Sequence, residues 1–128
     1  VETEKALLQD MARQTDQLMV VCDVNGEIAG TCQVVCMNRV KTRHRATVSI
    51  ALRRAYWGQG ISGVMFEEME AFARGRGVMQ LELAYAQGND RARRLYDRLG
   101  FVETGRGPDA IRLRDGTLLD EIFMVKKL

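Results

Sequence analysis

Apolar residues recur along this chain with two different periods, and each change of period predicts an element boundary. Residues 2–15 place Leu7, Leu8, Met11 and Thr15 on one helical face, with Glu2, Glu4, Lys5, Asp10 and Arg13 elsewhere. That pattern predicts a short amphipathic helix. In the next run, LMVVCDVNGEIAGTCQVVCM, two β-rich stretches flank Asn25-Gly26, a strong hairpin signal. It predicts antiparallel strands at about 17–23 and 27–38. The basic stretch RVKTRHR at 39–45 reads as a solvated turn or strand end. ATVSIAL then alternates, with Ala46, Val48, Ile50 and Leu52 on one face and Thr47, Ser49 and Ala51 on the other.

From Ile61 the spacing becomes helical, through Val64, Met65, Met69, Phe72 and Ala73, and the GRG at 75–77 should end that helix. MQLELAY returns to alternation, with Met79, Leu81, Leu83 and Tyr85 opposed to Gln80, Glu82 and Ala84. GNDRARRLYDRLGF predicts a short helix capped by Asn89 or Asp90 and stopped by Gly100, its buried stripe being Ala92, Leu95, Tyr96 and Leu99. The tail predicts two strands about a turn at Asp115-Gly116. A strand–helix–strand unit implies a parallel pair with a right-handed crossover, and the hairpins imply antiparallel neighbours. The predicted fold is α/β, a mixed central sheet in a three-layer α/β/α sandwich.

Length and composition narrow the function classes. The 128 residues suit one domain, spanning 1–128. The chain is 46% hydrophobic and 28% charged, an ordinary globular balance. A net charge of +2 gives no electrostatic case for nucleic acid or an anionic membrane as the main partner. No apolar stretch approaches the roughly 20 residues that span a bilayer, and no signal-peptide pattern opens the chain. Cys22, Cys32 and Cys36 sit in apolar runs and read as buried thiols of a reducing cytoplasm. With one histidine, His44, and no CxxC, no metal site is expected. The chain opens on Val1 rather than methionine, so a processed form or a piece of something longer is expected.

Candidate chemistry centres on YWGQGISG at 56–63, where three glycines fall within six positions between a predicted strand and a predicted helix. The first turn of a helix has unpaired N–H groups and a dipole that favours negative charge, and glycines let a phosphate approach the backbone. A P-loop is excluded because GK[ST] is missing. Gly58, Gly60 and Gly63 fit the dinucleotide GxGxxG literally, but the acidic strand end expected about 20 residues on is absent, since Glu82 lies mid-strand. A cradle for the pyrophosphate of coenzyme A is the third reading.

The stretch SIALRRAYWGQGISGVMFEEMEAFARGRGVMQLEL resembles the acyl-CoA-binding motif of the GCN5-related N-acetyltransferases. NDRARRLYDRLGF is similar to that superfamily's second signature, an asparagine followed seven residues later by a tyrosine, here Asn89 and Tyr96. The resemblance covers about residues 17–128 and departs from the Arg/Gln-x-x-Gly-x-Gly/Ala pattern at two positions, Trp57 and Ser62. Trp57 is expected to pack at the loop. The superfamily usually begins with a strand and a helix that precede anything visible here and wall the substrate side; either they were removed or another copy of the chain completes the site. A homodimer is therefore a possible assembly.

The resemblance implies an acetyl-CoA-dependent N-acetyltransferase acting on a small primary amine such as an amino acid, by direct attack in a ternary complex. It implies that N–H groups of Gly58, Gln59, Gly60, Ile61, Ser62 and Gly63 hold the pyrophosphate, and that Ile50, Ala51 and Leu52 pair with the pantetheine, Leu52 N–H being the candidate oxyanion donor. It implies that Asn89 caps its helix and bonds the pantetheine, and that Tyr96 protonates the departing thiolate. Many relatives carry a glutamate where this chain has Ala84; Glu82, on the same strand face, is the candidate base, with Ser49, Thr47 or His44 relaying through water as alternatives. Arg91, Arg93, Arg94 and Arg98 are candidates for the 3′-phosphate, or a solvated face. A CoA-binding module without catalysis and a protein or peptide N-acetyltransferase are the rival readings.

Overall fold

A computed structural model of the chain describes residues 6–13, in backbone only, and 16–128. It divides into two compact units, Val1–Leu81 with Leu128, and Glu82–Lys127.

In the first unit four strands follow one another in the sheet: β1 (Ala6–Arg13), β2 (Gln17–Val24), β3 (Glu27–Cys36) and β4 (Arg45–Leu52), all neighbours antiparallel. The β2–β3 hairpin turns at Asn25 and Gly26, whose φ values of 53° and 86° are the paired left-handed residues that a tight two-residue turn requires. Asp23 Oδ1 accepts from Gly26 N–H at 2.8 Å and closes it. Leu18, Val20, Cys22 and Val24 on β2, Cys32, Val34 and Cys36 on β3, and Ala46 and Val48 on β4 alternate into one buried face. Helix α1 (Ile61–Gly75) covers that face with Ile61, Met65, Phe66, Met69, Phe72 and Ala73. Phe66, Met65 and Met69 are almost completely excluded from solvent, each such side chain contributing about 1.5–3 kcal/mol. Gly77, at φ 76°, stops the helix.

The first predicted element is overturned. Over its described residues, the stretch expected to be a helix is the strand β1, from Ala6↔Val24 to Arg13↔Leu18. The remainder of that stretch, 2–5 and 14–15, lies outside the described residues. Two physical reasons account for the difference. The register slips between Asp10 and Ala12, and a bulge breaks the period of two that would have marked a strand. An isolated helix of this length is also marginal in water, whereas a strand completes its hydrogen bonds on the edge of β2.

β5 (Gln80–Ala86) sets out beside β4: Met79 N–H donates to His44 O at 2.7 Å, one residue before each strand begins. Leu128 N–H, just past the end of β7 (Leu118–Lys127), donates to Met79 O at 2.9 Å. Strands running with and against β5 make this the mixed sheet of the expected α/β class. Met79 itself is exposed rather than part of the buried row, which starts at Leu81.

In the second unit the strand order is β5-β7-β6, with β6 spanning Val102–Arg112 and helix α2 (Asp90–Arg98) lying between β5 and β6 in sequence. β6 and β7 form an antiparallel hairpin whose register slips twice, between Glu103 and Gly105 and between Gly107 and Ile111. Their turn is closed by Asp115, whose Oδ1 accepts from Thr117 N–H at 2.9 Å and whose carboxyl is held below its ordinary value by that backbone bond.

Candidate functional site

The first candidate region is the end of β4 and the loop that follows it. Arg53 N–H donates to Ala29 O on β3 at 2.8 Å. Peptide groups alternate sides along a strand, so the N–H and carbonyl of Leu52 both face away from β3. On that side the Trp57 indole N–H donates to Leu52 O at 2.9 Å. Trp57 therefore braces the strand end through a specific bond, and the Arg54 guanidinium stacks 5.4 Å from its ring centroid. β3 and β4 approach closely here. A Cβ built on Gly30 would stand 2.4 Å from Ala51 O and 3.1 Å from Leu52 Cα, so only glycine fits.

A single 3₁₀ turn, Arg54–Tyr56, carries the chain from β4 to the glycine loop. The Tyr56 hydroxyl donates to Glu27 Oε1 at 2.6 Å, and Arg53 Nη1 stands 3.8 Å from the same carboxylate. The hairpin thus anchors the turn, and the bond to Glu27 raises the Tyr56 phenol above its ordinary value. Gly58 and Gly60 follow at φ 76° and 80°, the left-handed region that glycine alone enters at little cost. Gly60 is the N-cap of α1, and no side chain caps it. A Cβ added at Gly58 or Gly63 would meet nothing within 4 Å. The N–H groups of the first turn, at Ile61, Ser62 and Gly63, thus lead from an unencumbered, glycine-lined bend, and Gln59 turns its amide back onto Ala55 O at 3.3 Å.

Ile50 and Leu52 are half-buried, while Ser49 and Ala51 lie on the outer face. Met19, Thr31, Gln33, Ser49, Ile50 and Ala51 border a groove of about 130 Å³ there. His44 and Thr47, the other relay candidates, are exposed.

A separate candidate region lies within Glu82–Lys127. Asn89 is the N-cap of α2, its Oδ1 accepting from Ala92 N–H at 3.1 Å. Tyr96 is the only buried residue of that helix; Ala92, Leu95 and Leu99, expected beside it, are half-buried. Seven residues are about two helical turns, so Asn89 and Tyr96 stand on one side of α2. The Tyr96 ring packs 5.9 Å from Tyr85 and 5.9 Å from Phe101. Burial, and then the neighbouring Tyr85, push its phenol above the ordinary 10.0. Glu82 is half-buried on β5 and alternates with buried Leu81 and Leu83. It is three residues from Tyr85, an odd separation, so it projects from the face of β5 opposite to the one that meets Tyr96.

The four arginines of α2 separate. Arg93 is committed: it reaches Asp97 at 3.2 Å, Glu103 at 3.0 Å and the Tyr85 hydroxyl at 3.4 Å. Burial, and then the neighbouring Arg98 and Arg94, lower the Arg91 guanidinium below its ordinary value. No group of described residues could hold a metal ion.

Three contributors were missed in the sequence. Gly30 carried a signal, since glycine inside a strand pattern marks a close approach. The Glu27–Tyr56 bond and the Trp57–Leu52 bond carried none, because both depend on how the 3₁₀ turn folds back.

Comparison with known proteins agrees with this geometry. The acetyltransferase of the GNAT family from Streptococcus pneumoniae superposes with a TM-score of 0.83 at 27% identity, over 90% of this chain and 69% of that one. The ribosomal-protein-alanine N-acetyltransferase from Brucella melitensis gives 0.77 at 26% identity, over 88% and 69%. The fold is shared with yncA from Salmonella typhimurium, solved with its cofactor acetyl-CoA, at 0.77 and 23% identity over 88% and 65%. A search of curated protein sequences finds no significant match. Residues 2–101 match the sequence model of the acetyltransferase (GNAT) family, which uses acetyl-CoA. The chain, over most of its length, belongs to the acetyltransferase (GNAT) family.

Proposed function

We propose that this protein transfers an acetyl group from acetyl-CoA to a small primary amine, such as an amino acid, by direct attack. The observation that carries the reading is the bend at Gly58 and Gly60: two left-handed glycines between β4 and α1, with open space where a side chain would stand at Gly58 and at Gly63. Such a bend fits a diphosphate, because backbone N–H groups at a helix start attract anions without any charged side chain. Gly58, Gln59, Gly60, Ile61, Ser62 and Gly63 would hold it, and Ile50, Ala51 and Leu52 would line the pantetheine.

Acetyl-CoA, when bound, supplies the thioester acyl group. The chain's own residues supply the rest. Leu52 N–H faces off the sheet pair and can polarise a carbonyl oxygen. Tyr96, kept protonated by burial, can donate to a sulfur. Asn89 fixes the start of α2 with its carbonyl oxygen on Ala92 N–H, leaving its amide N–H groups for the pantetheine. Glu82, on the other face of β5, would accept the proton of the ammonium, so acid and base serve different ends of the reaction. No described cysteine is a candidate nucleophile: Cys22, Cys32 and Cys36 are buried thiols without disulfides, all raised by burial. Reduced thiols suit a cytoplasmic setting.

The test is thiol release from acetyl-CoA with a panel of free amines and N-terminal peptides. Turnover on free amines, absent with peptides, supports the proposal; no release above the protein-free rate, with coenzyme still bound in calorimetry, leaves a binding module instead. Acetylation of peptides alone is the second reading, favoured by the 26% identity to the Brucella enzyme.

A further inference from the structure

We infer that Gln87, which lies outside both family signatures, is a positioning residue that fixes the start of α2; the inference rests on the acetyl-CoA reading of Asn89. Gln87 is the first residue after β5 and stands two before Asn89. It is held to β7 by two bonds at one place. Its N–H donates to Asp120 O at 2.9 Å, and its side-chain Oε1 accepts from Asp120 N–H at 2.8 Å. The side chain thus takes the role of a second backbone carbonyl and locks the turn as a strand pair would. Asn89 N–H then donates to Ala86 O at 3.1 Å, and Asp90 N–H to Gly88 O at 3.0 Å, which carries the fixed geometry into the cap.

The anchor is itself unusually well held. Asp120 Oδ1 accepts from Asp109 N–H at 3.1 Å, and its carboxylate stands 3.9 Å from Arg106 Nη1. Asp109 lies inside the register slip between Gly107 and Ile111, at φ 51°, a conformation that aspartate tolerates better than most side chains. So the wide bulge of β6 is built onto the carboxylate of Asp120, while the backbone of Asp120 grips the β5–α2 turn. Gln87 is exposed, and its side-chain oxygen accepts the Asp120 N–H.

The test uses the whole chain with Gln87→Met, which keeps length and loses the acceptor, and Gln87→Glu, which keeps an oxygen for Asp120 N–H. Amide exchange at Ala92, the N–H on Asn89 Oδ1, is read by NMR, and coenzyme A affinity by calorimetry. In Gln87→Met, exchange at Ala92 should quicken and coenzyme binding weaken, each about fivefold, the change one net hydrogen bond sustains. The amine KM should stay unchanged, and Gln87→Glu should restore both. Unchanged exchange at Ala92 in Gln87→Met, or equal loss in both variants, overturns the inference. If the unaltered chain binds no coenzyme, the proposed function fails, and the exchange contrast alone still decides whether Gln87 holds the cap.

Discussion

At the residue scale, Gly30 and Tyr96 make opposite demands. Gly30 is needed for what it lacks: any Cβ would press on Ala51 O. Gly30→Ala should therefore force β3 from β4 and destabilise by about 1–3 kcal/mol, measured by urea unfolding. Under the proposed function, Tyr96 is needed for its proton. Tyr96→Phe should lower kcat by about 10²-fold or more while coenzyme affinity stays within about twofold of the parent, since the ring and its packing remain. Because burial raises the phenol, its proton is retained up to and beyond pH 10.0, so the alkaline limb of the rate profile belonging to this acid should fall above that pH. The cap at Asn89 and the two glycines were legible in the sequence, since φ > 0 and capping leave local signatures. Trp57 was legible only as packing. Its bond to Leu52 O spans five residues and depends on the intervening turn, which no periodicity encodes.

At the element scale, alternation and helical spacing located each strand and α-helix from Gln17 onward, but not the 3₁₀ turn Arg54–Tyr56. They failed at the first strand. β1 lost its alternation to a bulge and was read as a helix, whereas the tail was read as two strands about Asp115-Gly116 despite the two slips between β6 and β7. Helix α2 is nine residues long, too short to hold together by propensity alone. It depends on its cap and on Tyr96. Asn89→Ala should cost about 0.5–2 kcal/mol in thermal or urea unfolding, and Asn89→Ser, which keeps an acceptor oxygen, should recover most of it. Gly60, by contrast, caps α1 with no side-chain bond at all. One helix start is sealed by a side chain of its own and the other is not, a contrast that fits the anion-holding role proposed for the start of α1.

At the scale of the whole molecule, the buried thiols set an alkaline limit. Burial pushes Cys32 from 9.0 to about 12. The folded chain then holds a proton that the unfolded chain releases, so stability is complete below pH 9 and falls as pH rises toward 12. The loss is up to about 1.4 kcal/mol per pH unit. Urea midpoints should decline from pH 9 upward, and Cys32→Ala should flatten that decline by one proton's worth. No local pattern announces which strand follows which in the sheet; the order β5-β7-β6 places the last strand inside the next to last. Trp57 is the chain's single tryptophan, and it stands half in solvent, bonded to the strand end beside the glycine bend. The protein thus carries its own fluorophore at the mouth where a cosubstrate would enter. Its emission maximum and quenching by iodide give an optical titration of that mouth, with no label added.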